Sequence, residues 1–174
     1  VKPRTLTLGG LTVPRILSFI TGAGMIAASV LTIRHFFLAN YPATIFTGSF
    51  CDISAFFNCD SSAFSSISQV LGIPLGFFGL FMGALVVLGT FLPSEAFERT
   101  NKSLALLNAL GVVGLLLYSV IVMGSLCLLC SGYYLFSLLN FVLFWLYGLG
   151  RGEGLFRSWV RPSFRLLVVF ALVA

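Results

Sequence analysis

The sequence has 174 residues, of which 59% are hydrophobic and only 9% are charged. Soluble domains carry charge at about a quarter of their positions, so this chain has too few charged side chains to cover a surface that faces water. The composition argues against a soluble protein and predicts an integral membrane protein. The net charge of +5 does not form a basic patch interleaved with aromatic residues, so we expect contact with membrane lipid and no nucleic-acid partner.

Four long apolar stretches follow one another, over residues 16–33, 73–92, 104–126 and 126–149. Each approaches or exceeds the roughly 18 residues that mark a membrane span. They predict an all-α integral membrane protein with a bundle of four transmembrane helices. The first stretch could instead be a cleaved signal peptide, because basic residues precede it, but no convincing cleavage site follows and we interpret it as a retained helix.

The C-terminal region predicts a separate, incomplete element. After Pro162, residues 166–174 are apolar but cover only half a bilayer by helical rise. We interpret them as the truncated start of a fifth transmembrane helix. The chain is accordingly divided into a four-helix transmembrane domain, residues 1–150, and a cytoplasmic loop with the start of the fifth helix, residues 151–174.

The basic residues predict the orientation in the membrane, because positive charge collects on cytoplasmic loops. With a cytoplasmic N-terminus, Arg34 lies outside and the other nine basic residues lie inside: Lys2, Arg4, Arg15, Arg99, Lys102, Arg151, Arg157, Arg161 and Arg165. The segment 39–72 and the junction around residues 124–125 are then outside. All four cysteines lie on or near that outer face, where disulfides form and persist.

Glycines spaced four apart, at 72 and 76 and again at 79 and 83, predict close approach of neighbouring helices.

The outer segment has a pattern of its own. After Cys59, Asp60 or Ser61 can cap a short amphipathic helix that lies on the membrane, as a lid or as a simple cover. Its apolar face would carry Phe64, Ile67, Val70 and Leu71.

The pair Cys127-Leu-Leu-Cys130 opens the fourth predicted helix. Helix positions three apart share a face at about 5–6 Å, which is within reach of a disulfide. The partial positive charge of a helix N-terminus favours the thiolate. A reversible dithiol fits this position, and since no soluble reductant is close in sequence, the implied electron carrier is lipid-soluble, most commonly a quinone.

The second pair, Cys51 and Cys59, encloses a short segment that we expect to move. Thiol–disulfide exchange requires a thiolate to approach a disulfide sulfur, so one pair has to reach the other. Three other interpretations are zinc binding, two structural disulfides, and isolated free cysteines. The step from Cys51 to Cys59 is loose for zinc, and a disulfide within a helical CxxC constrains little. His35 is interpreted as an interfacial polar residue.

These residues together resemble the vitamin K epoxide reductase family, particularly its bacterial homologues. The resemblance covers residues 16–149 and rests on Cys51-Asp52, Cys59, Ser65, the Gly72-Ile73-Pro74 step, Cys127-x-x-Cys130 and Tyr134. It implies a four-helix bundle around a quinone of the ubiquinone, menaquinone, plastoquinone or phylloquinone type. It also implies a thiol-to-quinone oxidoreductase that supports disulfide bond formation in a bacterial inner membrane, with the cysteines on the periplasmic side.

The resemblance also implies a role for each residue. Cys51 meets a thioredoxin-like partner, which is separate or fused after the fifth helix, and Cys59 attacks the disulfide of Cys127 and Cys130. Cys130 lies beside the quinone. Ser65 and Tyr134 match positions that bind the quinone headgroup, where each hydroxyl can donate a hydrogen bond to a carbonyl oxygen.

One departure bears on the substrate. Vertebrate members that reduce the epoxide carry an Asn near the start of the second span, and residues 70–99 contain none. Reduction of vitamin K epoxide or quinone is therefore an alternative only. A second alternative is the disulfide bond formation protein B family, whose CxxC lies in the first outer loop. The non-enzymatic alternative is a membrane scaffold or transporter, but the spans hold no ionisable residue at mid-depth.

Overall fold

The computed structural model describes residues 7–8, 11–41, 53–91 and 95–146. Cys51 and the predicted fifth helix lie outside the described residues, so those predictions and the division into two regions stay predictions.

Four long helices correspond to the four apolar stretches: α1 (Val13–Asn40), α3 (Leu75–Phe91), α4 (Glu95–Tyr118) and α5 (Leu128–Leu146). A π-helical turn, Ser119–Met123, extends α4 and ends at Gly124 in the left-handed conformation. Among the described residues, three segments are long and apolar enough to cross a membrane: Val13–Asn40, Thr100–Met123 and Leu128–Trp145. The apolar helix α3 is shorter, at 17 residues, or about 25 Å by helical rise.

In the part of the chain that the structure describes, the short elements are two antiparallel strand pairs, one small helix and one 3₁₀ turn. Strands β1 (Thr7–Leu8) and β2 (Leu11–Thr12) precede α1 as an antiparallel pair. Helix α2 (Cys59–Ala63) is followed by a 3₁₀ turn, Ser66–Ser68. Strands β3 (Gln69–Val70) and β4 (Ile73–Pro74) form a second antiparallel hairpin that leads into α3.

The four long helices pack in a ring, because α1 and α4 each contact both α3 and α5. The glycines of α3 allow α1 to approach closely. A Cβ atom added to Gly83 would lie 2.9 Å from the side chain of Ile26 and 3.1 Å from the backbone oxygen of Gly22. The predicted packing role is thus confirmed for Gly83. It is wrong for Gly72, which lies in the β3–β4 turn with φ of 82°, where an added Cβ atom would meet no described residue other than its chain neighbours within 4 Å.

Buried amides join the helices at the end of the bundle away from the cysteines. Asn140 of α5 donates a hydrogen bond to Oγ1 of Thr21 on α1 at 3.0 Å, and Asn101 of α4 donates to the carbonyl of Leu85 on α3, also at 3.0 Å. Such bonds hold helices together in an environment where water cannot compete. Hydrogen bonds from buried amides therefore link α1 to α5 and α3 to α4 in this half of the bundle.

The amphipathic helix predicted after Cys59 is wrong in its length and its cap. Helix α2 ends at Ala63, and its N-cap is Asn58, whose Oδ1 accepts the N–H of Ser61 at 2.8 Å. Ser65 donates its hydroxyl to the carbonyl of Ser62 at 2.8 Å, and serines that bond to nearby backbone in this way compete with helix formation. No continuous apolar face forms, and Leu71 is 97% exposed.

Candidate redox site

The described part of the loop before Cys59 is paired with the segment before α5. Phe57 and Leu126 form a parallel bridge. The N–H of Asn58 donates to the carbonyl of Leu126 at 3.2 Å, and the N–H of Leu126 donates to the carbonyl of Phe56 at 2.6 Å. Ser61 and Ser125 add a contact between their hydroxyl oxygens at 2.8 Å. This pairing places the start of α2 beside the start of α5.

A second set of contacts ties α2 to α1. Nε2 of His35 lies 3.1 Å from Oδ1 of Asp60, a contact that is an ion pair when the imidazole is protonated. One turn further along α1, Nδ2 of Asn40 donates to the carbonyl of Ala63 at 3.2 Å. His35 is only 8% exposed, so its side chain packs within the protein, and its place at the membrane interface stays a prediction. His35 is buried and paired with the residue that follows Cys59.

These two attachments bring two cysteines into contact. Cys59 is fully buried and is held in a disulfide. Cys127 is a buried free thiol that donates to Cys59 with their Sγ atoms 3.4 Å apart. Cys130 is also a free thiol. A thiol thus faces a disulfide sulfur, which is the arrangement that thiol–disulfide exchange requires.

The position of Cys127 immediately before α5 alters its acidity. Its Sγ accepts the backbone N–H of Cys130 at 3.3 Å. The pKa of Cys127 is lowered, chiefly by a hydrogen bond from the Cys130 side chain and further by the backbone amides of Leu129 and Cys130, while burial opposes them. The thiolate of Cys127 is therefore favoured over that of an ordinary cysteine.

A cavity of about 320 Å³ opens beside these sulfurs. Five of the predicted site residues line it: Cys59, Ser65, Cys127, Cys130 and Tyr134. Its walls are largely apolar and come from all four long helices, through side chains such as Ile33, Phe36, Phe78, Met82, Leu115 and Leu129. Small-molecule sites typically combine such walls with a few polar groups. The cavity can therefore hold a flat apolar ring next to Cys130.

Several polar residues of the cavity were not predicted from the sequence. Oγ of Ser62 lies 3.9 Å from Sγ of Cys130. Asn108 of α4 accepts a hydrogen bond from the Tyr133 hydroxyl at 2.9 Å and donates to Oγ of Ser137 at 2.6 Å. The available signal was the presence of an amide inside an apolar span, since polar groups in membrane helices are costly and often functional.

A metal site would require several His, Cys, Asp or Glu side chains grouped around one point. Within the described ranges, no three His, Cys, Asp or Glu side chains are grouped so that they could hold a metal ion.

Comparison with known proteins gives one family. The sequence model of the vitamin K epoxide reductase family matches residues 15–145, which is more than half of the chain and includes all four cysteines. No curated protein sequence matches the chain.

Proposed function

Because the chain belongs to the vitamin K epoxide reductase family, we propose that it oxidises a thioredoxin-like dithiol partner and passes the electrons to a membrane quinone. Membership and the apolar helices make it a membrane oxidoreductase of the kind that acts on thiols and quinones. The direction, the partner and the role of each residue are part of the proposal. So is the location, a bacterial inner membrane with the cysteines on the periplasmic side.

One observation carries this proposal: the thiol of Cys127 lies 3.4 Å from the disulfide sulfur of Cys59. A scaffold with two structural disulfides has no need for a thiol of one pair at the sulfur of the other. The position of the CxxC pair at the start of α5, and not in the first outer loop, also favours this family over the disulfide bond formation protein B family.

The proposed reaction begins with the two outer cysteines. A thiolate of the partner attacks Cys51 of a Cys51–Cys59 disulfide, and the partner's second thiol completes its own disulfide, which leaves Cys51 and Cys59 reduced. The Cys59 thiolate then attacks Cys127 in a Cys127–Cys130 disulfide and displaces the Cys130 sulfur. Cys51 resolves the resulting Cys59–Cys127 bond. Cys51 and Cys59 are then oxidised again, and Cys127 and Cys130 are thiols.

The final step returns Cys127 and Cys130 to a disulfide. Their two electrons and two protons pass to the quinone, which is the two-electron acceptor and leaves as quinol. Cys130 lines the cavity, and the Ser62 hydroxyl beside its sulfur can stabilise charge there. Ser65 and Tyr134 line the same cavity and are proposed to orient the ring.

The test is quinone reduction by the purified protein in detergent. We expect turnover only when a dithiol partner is supplied, and none in the Cys130→Ala protein. Leu128→Ala is the matched control, because Leu128 belongs to the same motif but its side chain is exposed. It should turn over normally. Full activity of Cys130→Ala would remove the proposed exit for the electrons and favour a scaffold.

A further inference from the structure

The cavity has polar groups at two depths. Near the outer end are Cys130 and the Ser62 hydroxyl. A second group comes from the deeper walls and includes Ser29 of α1 and Asn108 of α4. Ser29 lies six residues before His35, or about 9 Å of helical rise deeper. Neither Ser29 nor Asn108 is among the residues proposed above to act on the quinone.

Ser29 has an unusual environment for a hydroxyl in a membrane helix. It is 2% exposed, it lines the cavity, and its Oγ has no hydrogen-bond partner among the residues that the structure describes. Serines in helices commonly donate to a carbonyl of the preceding turn, as Thr32 does to Ala28 one turn later. A buried hydroxyl without a partner destabilises the protein, and a ligand in the cavity would supply the missing acceptor.

The corner around this hydroxyl is kept open by a glycine. A Cβ atom added to Gly79 would lie 2.6 Å from Oγ of Ser29 and 2.8 Å from the ring of Tyr133. Any side chain at this position would therefore fill the space between the two. The opening faces the cavity, which Ser29, Gly79 and Tyr133 all line.

Asn108 presents a donor to the same region. Its Oδ1 accepts the Tyr133 hydroxyl, and its Nδ2 donates to Oγ of Ser137. These two contacts fix the orientation of the carboxamide. An amide nitrogen carries two hydrogens, so one N–H of Asn108 remains for a ligand in the cavity.

We propose that Ser29 and Asn108 form a second hydrogen-bonding pole, which binds the ring oxygen farther from Cys130. The site then selects flat rings with an oxygen acceptor at each end, as in a 1,4-quinone, over rings with one acceptor. The identity of the ligand rests on the proposed function. The second pole itself is inferred from the two deeper donors, Ser29 and Asn108.

The test measures binding separately from turnover. Menadione, a soluble 1,4-naphthoquinone, and 1-tetralone, which has one carbonyl, are added to the protein in detergent, and affinities are obtained from the rise in melting temperature. For Ser29→Ala and Asn108→Leu we expect menadione to bind about three- to tenfold more weakly, as for the loss of one hydrogen bond. The preference for menadione over tetralone should shrink by a similar factor.

Ser18→Ala is the matched control, because Ser18 lies on the same helix, is 4% exposed and does not line the cavity. Its affinity for menadione should equal that of the unmodified protein. Without ligand, Ser29→Ala should melt no lower than the unmodified protein, since it removes an unpartnered hydroxyl. This keeps the test valid even if Asn108→Leu, which loses two contacts between helices, fails to fold.

The outcomes separate the two proposals. Equal menadione affinity in Ser29→Ala, Asn108→Leu and the unmodified protein would overturn the second pole, whatever the turnover. Weaker binding in both variants, together with an unmodified protein that binds menadione but never reduces it, would support the pole and overturn the proposed reaction. No menadione binding by the unmodified protein would overturn both.

Discussion

Nε2 of His35 and Oδ1 of Asp60 lie 3.1 Å apart, and this contact joins α1 to the helix that begins with Cys59. Asn40 makes a second attachment at the other end of α2 through the carbonyl of Ala63. The approach of Cys59 to Cys127 therefore depends on polar contacts that involve neither sulfur.

Replacing His35 tests this dependence. Because leucine cannot make the polar contact with the Asp60 carboxylate, we expect His35→Leu to lower the melting temperature in detergent and to slow exchange between Cys59 and Cys127 about tenfold, a rise of about 1.4 kcal/mol in the barrier. The exchange rate is followed by rapid acid quenching and mass spectrometry after addition of a dithiol. Arg34→Leu changes the exposed neighbour and should leave the rate unchanged. An equally fast His35→Leu protein would show that the Asn40 contact and the contacts with the segment before α5 position α2 without His35.

The relay between the two cysteine pairs can be trapped. In a Cys51→Ala, Cys130→Ala protein, neither resolving thiol is present, so a Cys59–Cys127 disulfide should accumulate under mild oxidation. Non-reducing mass spectrometry of a digest would show a peptide of the outer loop joined to one from the start of α5. The matched control is Cys51→Ala with Cys127→Ala, in which Cys59 has only Cys130 left and should be bridged far less. Free thiols in the first protein would mean that the pairs do not communicate.

The acidity of Cys127 predicts a pH profile. In a protein with Cys51 and Cys59 replaced by alanine, alkylation of Cys127 by iodoacetamide should reach half of its maximal rate at a lower pH than for an ordinary cysteine. The reason is that only the thiolate reacts and the pKa is lowered. Cys130→Ala removes the largest cause and should move the midpoint upward, whereas Cys130→Ser keeps a donor and should move it less. A midpoint that is the same in all three would rule out Cys130 as the cause.

A labelling experiment can test the predicted orientation, in which the cysteines face the periplasm. In intact cells or sealed vesicles, after mild reduction, a membrane-impermeant maleimide applied from the periplasmic side should label Cys51 or Cys59. A cysteine introduced at Ser94, which lies between α3 and α4 in the sequence, should be protected until the membrane is permeabilised. The reverse pattern would place the cysteines in the reducing cytoplasm, which is incompatible with the proposed reaction.

Hydropathy was sufficient to predict the four long helices, and residue spacing was sufficient to place the CxxC pair at the start of the last one. All four apolar stretches are helical, and Cys127 directly precedes α5. The gathering of Ser65 and Tyr134 at the cavity with the cysteines was anticipated only through family resemblance, because no local pattern relates residues so far apart in the chain.

The remaining features depend on contacts between distant segments. The cap of α2 is Asn58 because its side chain reaches the N–H of Ser61, whereas composition offered Asp60 and Ser61 as equally good caps. His35 pairs with Asp60 across 25 positions of sequence, and Asn108 pairs with Tyr133 across the interface between α4 and α5. Periodicity shows which face of a helix is apolar, but it does not show which polar side chains meet across two helices.

The unequal lengths of α1 and α3 make the site sensitive to bilayer thickness. By helical rise, the 28 residues of α1 span about 42 Å, whereas a bilayer's hydrocarbon core is about 30 Å thick. The outer turns of α1, which hold α2, can therefore project from the lipid, while α3 is shorter than the core. Because a helix shorter than the hydrocarbon core forces the bilayer around it to thin, at a modest cost per ångström, longer acyl chains would raise that cost at α3, beside the cavity, while α1 still spans the core. We expect turnover in vesicles to fall as acyl chains lengthen, with no matching loss in detergent, so that lipid composition would adjust the rate at which the thiols are oxidised.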